Sequence, residues 1–158
     1  MRVSVLTISD SVATGKYADQ SGPAVVARCR ELGWKIASTA VLADDRTAIE
    51  TFLRDAAASN DLDTVLTTGG TGVGPRDVTL EATLAVAERL IPGFAEHMRA
   101  EGRKKTERAL LSRGVTAIRG KTLIVNLPGS PRGAVESLDA IAELLPHAVA
   151  VLNGARHE

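Results

Sequence analysis

Apolar positions along the chain alternate between short β-branched runs and longer stripes of helical period. Val3 to Ile8 is the first short run, and it ends in the turn-forming Ser9-Asp10-Ser11, which predicts a buried strand. From Gly22-Pro23 onward Val25, Val26, Cys29 and Leu32 fall on one helical face, with Pro23 suited to the first turn and Gly33 to the position just past the end. Trp34 to Leu42 predicts a second strand, and Ile49, Phe52, Leu53 and Ala56 form the inward stripe of a helix starting near Thr47. Thr64 to Thr67 predicts a third strand, running into the glycine-rich stretch Gly69 to Asp77. The helix after it is expected to turn Leu80, Leu84, Ala87 and Ile91 inward, with Thr79 as N-cap and Pro92-Gly93 as its end. Phe94 to about Arg103 predicts another helix, and Val115 to Leu127 two strands meeting at Arg119-Gly120-Lys121. Val135, Leu138, Ile141, Ala142 and Leu145 mark a last helix, ended or bent by Pro146.

Strands alternating with helices predict an α/β fold, a mainly parallel sheet with helices on both faces. Such sheets bind ligands outside the carboxyl ends of their strands. Three loops rich in small and acidic residues, Ser9-Asp10, Asp44-Asp45 and Gly69 to Asp77, each follow a predicted strand and are expected to converge on one edge. At 158 residues, one domain spanning 1–158 is expected, and 44% hydrophobic residues exclude wholesale disorder. Nineteen Lys plus Arg against nineteen Asp plus Glu argue against an overall electrostatic hold on nucleic acid or anionic membrane. No charged leader opens the chain and no apolar run approaches the ~18 residues of a membrane span. A cytoplasmic location without membrane attachment is expected. The one cysteine, Cys29, forbids an internal disulfide and is expected in the core, while His97, His147 and His157 have no metal-ligand spacing.

Four glycines, Gly69, Gly70, Gly72 and Gly74, make a loop whose backbone can approach a ligand closely and turn N–H groups toward an anion. The N-terminus of the following helix adds partial positive charge, so phosphate is the expected guest. The alternative is a tight connection without a ligand. Gly69 and Gly74 have the Walker spacing, but Pro75-Arg76 stands where Lys and Ser/Thr are needed, and Gly70-Thr71-Gly72 lacks the third glycine of a dinucleotide fingerprint. With Thr79 as N-cap, the Asp77 carboxylate is left without a capping role beside a phosphate loop. There it would be repelled by the ligand unless a proton or a divalent cation lay between them. Mg²⁺ with a nucleoside triphosphate satisfies this, and Asp44 invites the same reading from another loop. Arg76, Arg113 and Arg132 lie in or beside turns, where a guanidinium fork suits phosphate oxygens. The run Arg99, Arg103, Lys104, Lys105, Arg108 is interleaved with Glu96, Glu101 and Glu107 and reads as a solvated face.

Thr67-Thr68-Gly69-Gly70-Thr71-Gly72 followed by Pro75-Arg76-Asp77-Val78-Thr79 resembles the molybdopterin adenylyltransferases, the MogA proteins and the G domain of gephyrin. The resemblance extends through Ile8-Ser9-Asp10, Asp19, Ser21-Gly22, Asp44-Asp45, Pro92-Gly93-Phe94, Leu111-Ser112-Arg113 and Asn126 to Pro131, in the expected order over most of the chain. It implies a molybdopterin-binding α/β fold, usually a homotrimer, that transfers AMP from Mg-ATP to the terminal phosphate of molybdopterin. A partnership with the molybdate-inserting enzyme of the same pathway is also implied. By motif position, Asp44 and Asp77 would be catalytic, through Mg²⁺ or the reacting phosphates. Gly69, Gly70, Thr71 and Gly72 would hold phosphate or nucleotide, and Ser9, Asp10, Ser112, Pro128, Gly129 and Ser130 would line the shared pocket. Leu80 replaces a proline frequent in the family, and the chain is shorter than the longer MogA members. The shorter length raises the alternative of a MoaB-like molybdopterin-binding protein without transferase activity. An oligomeric scaffold module is the reading from another class.

Overall fold

The computed structural model describes residues 1–155, so His157 lies outside the described residues. In chain order the elements are β1 (Arg2–Ile8), α1 (Asp10–Ala13), α2 (Ser21–Glu31), β2 (Lys35–Leu42), α3 (Arg46–Ala58), β3 (Thr64–Thr68), α4 (Thr79–Val86) and β4 (Arg89–Leu90). There follow α5 (Pro92–Arg103), a 3-10 turn (Glu107–Leu111), β5 (Thr116–Arg119), β6 (Thr122–Leu127), α6 (Pro131–Ile141) and α7 (Leu144–Leu152). The strands form one sheet in the order β2-β1-β3-β6-β5-β4. The first four run parallel, while β5 is antiparallel to both neighbours.

Register decides where the loops emerge. Ile8 pairs with Leu42, Thr7 with Thr68, and Thr68 with Leu127, so four parallel strands end within one residue of one level. Ser9, Ala43, Gly69 and Pro128 therefore leave the sheet side by side, as expected for the three acidic and glycine-rich loops.

Strand residues facing opposite sides feed two apolar layers, each built of helical stripes. Val3, Val5, Leu66, Leu123 and Val125 pack with α2, α5, α6 and α7, and Leu6, Val65 and Ile124 pack with α3 and α4. Each fully buried Leu or Ile here contributes about 1.5–3 kcal/mol relative to exposure. Cys29 is in the first layer as expected, and burial pushes its thiol pKa up to about 11.

Three local expectations are corrected. The α4 helix stops at Val86 and buries Thr79, Ala82, Thr83 and Val86, leaving Leu84 exposed, because residues after Ala87 are drawn into the sheet. Glu88 and Ile91 donate backbone hydrogen bonds to Ile118 and Thr116, and that pairing wins over the helical spacing of Ala87 and Ile91. Pro92 opens α5 at its first position, where a missing N–H costs nothing, so the Pro-Gly pair starts a helix and does not end α4, from which β4 separates it. The last helix is two: α6 ends at Ile141, and Pro146 sits in the first turn of α7 for the same reason.

One buried polar group ties the sheet to α4 beneath the loops. Asn126 Nδ2 donates to Thr67 Oγ1 and Thr83 Oγ1, each at 3.0 Å, and its Oδ1 accepts the Val115 N–H at 3.2 Å. Asn126→Leu leaves those partners without their bonds in a buried site. We expect it to lower unfolding free energy by about 2–4 kcal/mol in urea titration, with an unchanged denaturant slope.

Candidate active site

The loops after β1 and β2 hold each other through reciprocal bonds. The Asp44 N–H donates to Asp10 Oδ1 and the Asp10 N–H to Asp44 Oδ2, each at 3.0 Å. Ser9 caps the short α1 by accepting the Val12 N–H, and Asp45 caps α3 by accepting the Ala48 N–H. Of the acidic pair after β2, Asp45 is thus spent on a helix end and Asp44 is left to face the edge. Arg76 reaches across from the glycine loop, its Nε 3.0 Å from Asp10 Oδ2 and its Nη2 donating to Asp10 Oδ1 and to the Asp44 carbonyl. Arg76 and the Asp44 N–H hold the Asp10 carboxyl below its ordinary range. Burial, above all, with the charges of Asp10 and Asp77, pushes the Asp44 carboxyl up, against the pull of the Asp10 N–H.

The glycine loop is built differently from the expectation. Gly69 and Gly70 have φ of 103° and 66°, the left-handed region, and a Cβ on them would meet the Ile8 carbonyl and the Thr79 hydroxyl respectively. Thr79 is the first residue of α4 and not its N-cap. Its Oγ1 donates to the Gly69 carbonyl at 2.9 Å and its N–H to that of Gly70, closing the loop onto the helix. Asp77 plays no part in capping, as expected, but is not idle: its Oδ2 accepts the Gly74 N–H at 2.8 Å. A Cβ at Gly72 or Gly74 would lie 2.9 or 2.8 Å from that same oxygen, so these glycines make room for the Asp77 carboxylate.

The expected phosphate forks are occupied by protein acceptors. Arg132 pairs with Glu136 at 2.8 Å, Arg76 with Asp10, and Arg113 with Glu81 and two carbonyls of the glycine loop. Each is better placed here to fix structure than to receive a ligand.

Two hollows open on this edge. The first, about 400 Å³, is lined by Gly70, Thr71, Gly72, Asp77, Ser112 and the Pro128-Gly129-Ser130 turn. The second, about 480 Å³, takes Ser9, Gly69, Gly70, Asp44, Asp77 and Gly129 among its walls. Gly70, Asp77 and Gly129 belong to both. Of the residues predicted for the site, Asp10 alone lines neither hollow; it stands behind Asp44 as a brace.

Several walls escape sequence reasoning. Arg99 and Arg108 line the first hollow, and Tyr17 and Asp19 the second. The charge pattern assigns Arg99 to a solvated face, yet it is half-buried and donates to the Gly114 carbonyl at 3.0 Å. A signal for this exists in the chain: Ala95, Met98, Arg99 and Gly102 follow the spacing of one inward helical stripe. Among the described residues no group of three or more His, Cys, Asp or Glu is gathered as for a metal ion, and no helix is long and apolar enough to cross a membrane.

The family model described as a probable molybdopterin binding domain matches residues 4–147. Molybdopterin adenylyltransferase of Helicobacter pylori J99 is 38% identical over 156 residues, covering 98% of this chain and 89% of that protein. The molybdopterin biosynthesis enzyme MoaB of Thermus thermophilus superposes with TM-score 0.91 at 43% identity, covering 99% of both chains. A MogA structure superposes with TM-score 0.90 at 36% identity, covering 96% of this chain and 99% of that one.

The upward shift of Asp44 makes stability depend on pH in a definite direction. Folding favours its protonated form, so Asp44 contributes stability that is fully present below the unfolded value and lost as pH rises through the folded one. Asp44→Asn removes the charge and keeps an oxygen for the Asp10 N–H. We expect its melting temperature at pH 7 to equal or exceed that of the parent, with the gain vanishing toward the ordinary carboxyl value of ~3.9. Melting below the parent at pH 7 would mean that the charge itself stabilises the fold.

Proposed function

This chain belongs to the family of molybdopterin-binding domains, and from that premise we propose that it transfers AMP from Mg-ATP to the terminal phosphate of molybdopterin in molybdenum cofactor biosynthesis. The observation that carries this reading is the pair of hollows meeting at Gly70, Asp77 and Gly129. A transfer between two bound molecules requires that their reacting phosphates meet while their bodies lie apart, and adjoining hollows with a shared wall supply that arrangement. The relatives named molybdopterin adenylyltransferase, in Helicobacter pylori and Escherichia coli, support it from the sequence side.

The chemistry asks for positioning and charge stabilisation. An oxygen of the molybdopterin phosphate attacks the α-phosphorus of ATP, a new P–O bond forms, the α–β bridge breaks, and pyrophosphate leaves. Backbone N–H groups of Gly70, Thr71 and Gly72 would orient phosphate oxygens, while that of Gly69 holds the loop to the Leu127 carbonyl, with Ser112 and Ser130 adding hydroxyl donors in the first hollow. Asp44 and Asp77 would hold Mg²⁺ jointly with phosphate oxygens, a donor set that suits this ion, which is usually bound by one or two carboxylates plus substrate phosphates. Bound there, it would supply neutralisation of the triphosphate charge. Ser9 and Gly69 would complete the second hollow around the other ligand. A homotrimer and a contact with the molybdate-inserting enzyme belong to the same reading.

The MoaB likeness favours a second reading, molybdopterin binding without transfer. Mass detection of adenylylated molybdopterin after incubation with Mg-ATP separates the two: product supports the transferase, and pterin binding without product supports the silent protein. Light scattering adds an independent arm, since a trimer fits the first reading and a hexamer the MoaB-like one.

Asp77→Asn and Asp44→Asn are each expected to lower adenylylation about 10²–10³-fold with the fold intact, the scale of losing one group that stabilises transition-state charge. Full turnover by both at saturating Mg-ATP would remove them from catalysis. Gly72→Val is expected to weaken turnover and ligand affinity more than stability, since its branched side chain enters the space of the Asp77 carboxylate. A fall in melting temperature with affinity unchanged would make Gly72 a structural glycine only.

A further inference from the structure

We propose that Arg113 and Glu81 are the positioning pair of this site: a guanidinium held by Glu81 ties both ends of the glycine loop and so fixes where the Asp77 carboxylate stands. The proposal rests on the adenylyl-transfer reading for its kinetic consequence and on geometry alone for its structural one.

Between Gly72 and Asp77 the loop has little of its own to hold it. Gly72 and Gly74 carry no side chain, and Val73 is 67% exposed, so no apolar anchor is buried. Glycine also loses the most conformational freedom on ordering. Its internal bonds, Asp77 N–H to the Gly74 carbonyl and Gly74 N–H to Asp77 Oδ2, tie the loop only to itself. Arg76 fastens the tip to Asp10 through an ion pair whose arginine is 69% exposed.

Arg113 supplies the anchor at the base. Its backbone N–H donates to the Thr71 carbonyl at 2.8 Å, its Nε to that of Gly72 at 2.7 Å, and its Nη2 to that of Asp77 at 2.9 Å. Its Nη1 lies 2.6 Å from Glu81 Oε1, on the first turn of α4. One residue from a distant stretch of the chain thus grips the loop where it begins and where it ends. The planar guanidinium projects donors in fixed, divergent directions, which lets it reach two carbonyls and a carboxylate together; a lysine ammonium on a flexible stem does not hold that set. Arg113 lines neither hollow, although its neighbours Ser112 and Gly114 line the first, so its donors are turned to the loop and away from the ligands.

Two variants and two readouts test this in the full chain. Arg113→Lys and Glu81→Gln are each expected to lower kcat by roughly tenfold or more, with KM for ATP and molybdopterin changed less than about threefold, because the reacting groups are misplaced and not unbound. In the ligand-free protein, the Gly74 and Asp77 amides are expected to exchange hydrogen about tenfold or more faster than in the parent, with core amides of β1 and β6 unaffected. Exchange at Gly74 and Asp77 within about twofold of the parent in both variants overturns the clamp, whether or not the protein turns over. A Glu81→Gln protein that binds ATP more tightly or reacts faster also overturns it, since releasing the guanidinium would then have aided a direct ligand contact. If Arg113→Lys does not fold, Glu81→Gln decides alone. A parent that exchanges as expected but yields no adenylylated product refutes the transfer reading and leaves the clamp standing.

Discussion

Everything on the ligand edge depends on four parallel strands ending within one residue of one level. The pairings Ile8 with Leu42, Thr7 with Thr68 and Thr68 with Leu127 leave a stagger of one residue between the ends of β2 and β1 and those of β3 and β6. A one-residue slip in any of these strands would turn its side chains to the other face and move its loop by more than 3 Å, roughly the rise of one strand residue. The register is fixed by the two apolar layers, because β1, β3 and β6 are buried on both sides and each alternate residue has a helix to pack against. Packing far from the site therefore sets where Ser9, Gly69 and Pro128 emerge, and the reciprocal Asp10 and Asp44 bonds bring the loop after the exposed β2 to them.

That convergence concentrates negative charge, and the protein neutralises it selectively. Asp10 receives the Arg76 fork and the Asp44 N–H, Asp45 is spent on the α3 terminus, and Glu81 is paired with Arg113, which holds its carboxyl below the ordinary range. Asp44 and Asp77 each receive one backbone N–H and, among the described residues, neither forms a salt bridge. The edge thus divides into carboxylates that brace and carboxylates that face the hollows. Arg76 and Arg113 belong to the bracing set, which is why the turn arginines do not present themselves as phosphate forks.

Much of this is legible in the chain, and the boundary of legibility has a physical cause. Val3 to Ile8, Thr64 to Thr67 and the Arg119-Gly120-Lys121 hairpin can be read because short branched runs and a tight turn are local signals. The convergence of the three loops follows from the rule for parallel sheets. The inward face of α4 cannot be read: Thr79 and Thr83 are buried because the Gly69 carbonyl and the Asn126 amide bond their hydroxyls, contacts separated by 10 and 43 positions in sequence. The same holds for Arg113, whose side-chain acceptors lie 32 to 41 positions away. Side-chain type announces a candidate anion ligand there, and only the fold reveals that backbone carbonyls have claimed it. Pro146 is ambiguous for a different reason, since proline signals equally the end of one helix and the first turn of the next.

The disposition of charge also bears on the choice between transfer and binding alone. Both ligands of the proposed reaction carry phosphate, and Asp77 stands on the wall common to both hollows. For a protein that only binds, an ionised carboxylate at that junction weakens each ligand by like-charge repulsion, while an asparagine in its place would still accept the Gly74 N–H. Asp44 sharpens the point, because burial already penalises its charge in the ligand-free protein. A carboxylate kept at Asp44 despite burial, and a second at Asp77 where it repels phosphate, fit the proposed transfer, with a cation between phosphates, better than they fit affinity alone. The glycines agree with this, for Gly72 and Gly74 leave open the volume that the Asp77 carboxylate fills. A loop shaped only to admit phosphate has no need to seat an anion of its own, and this one is built around it.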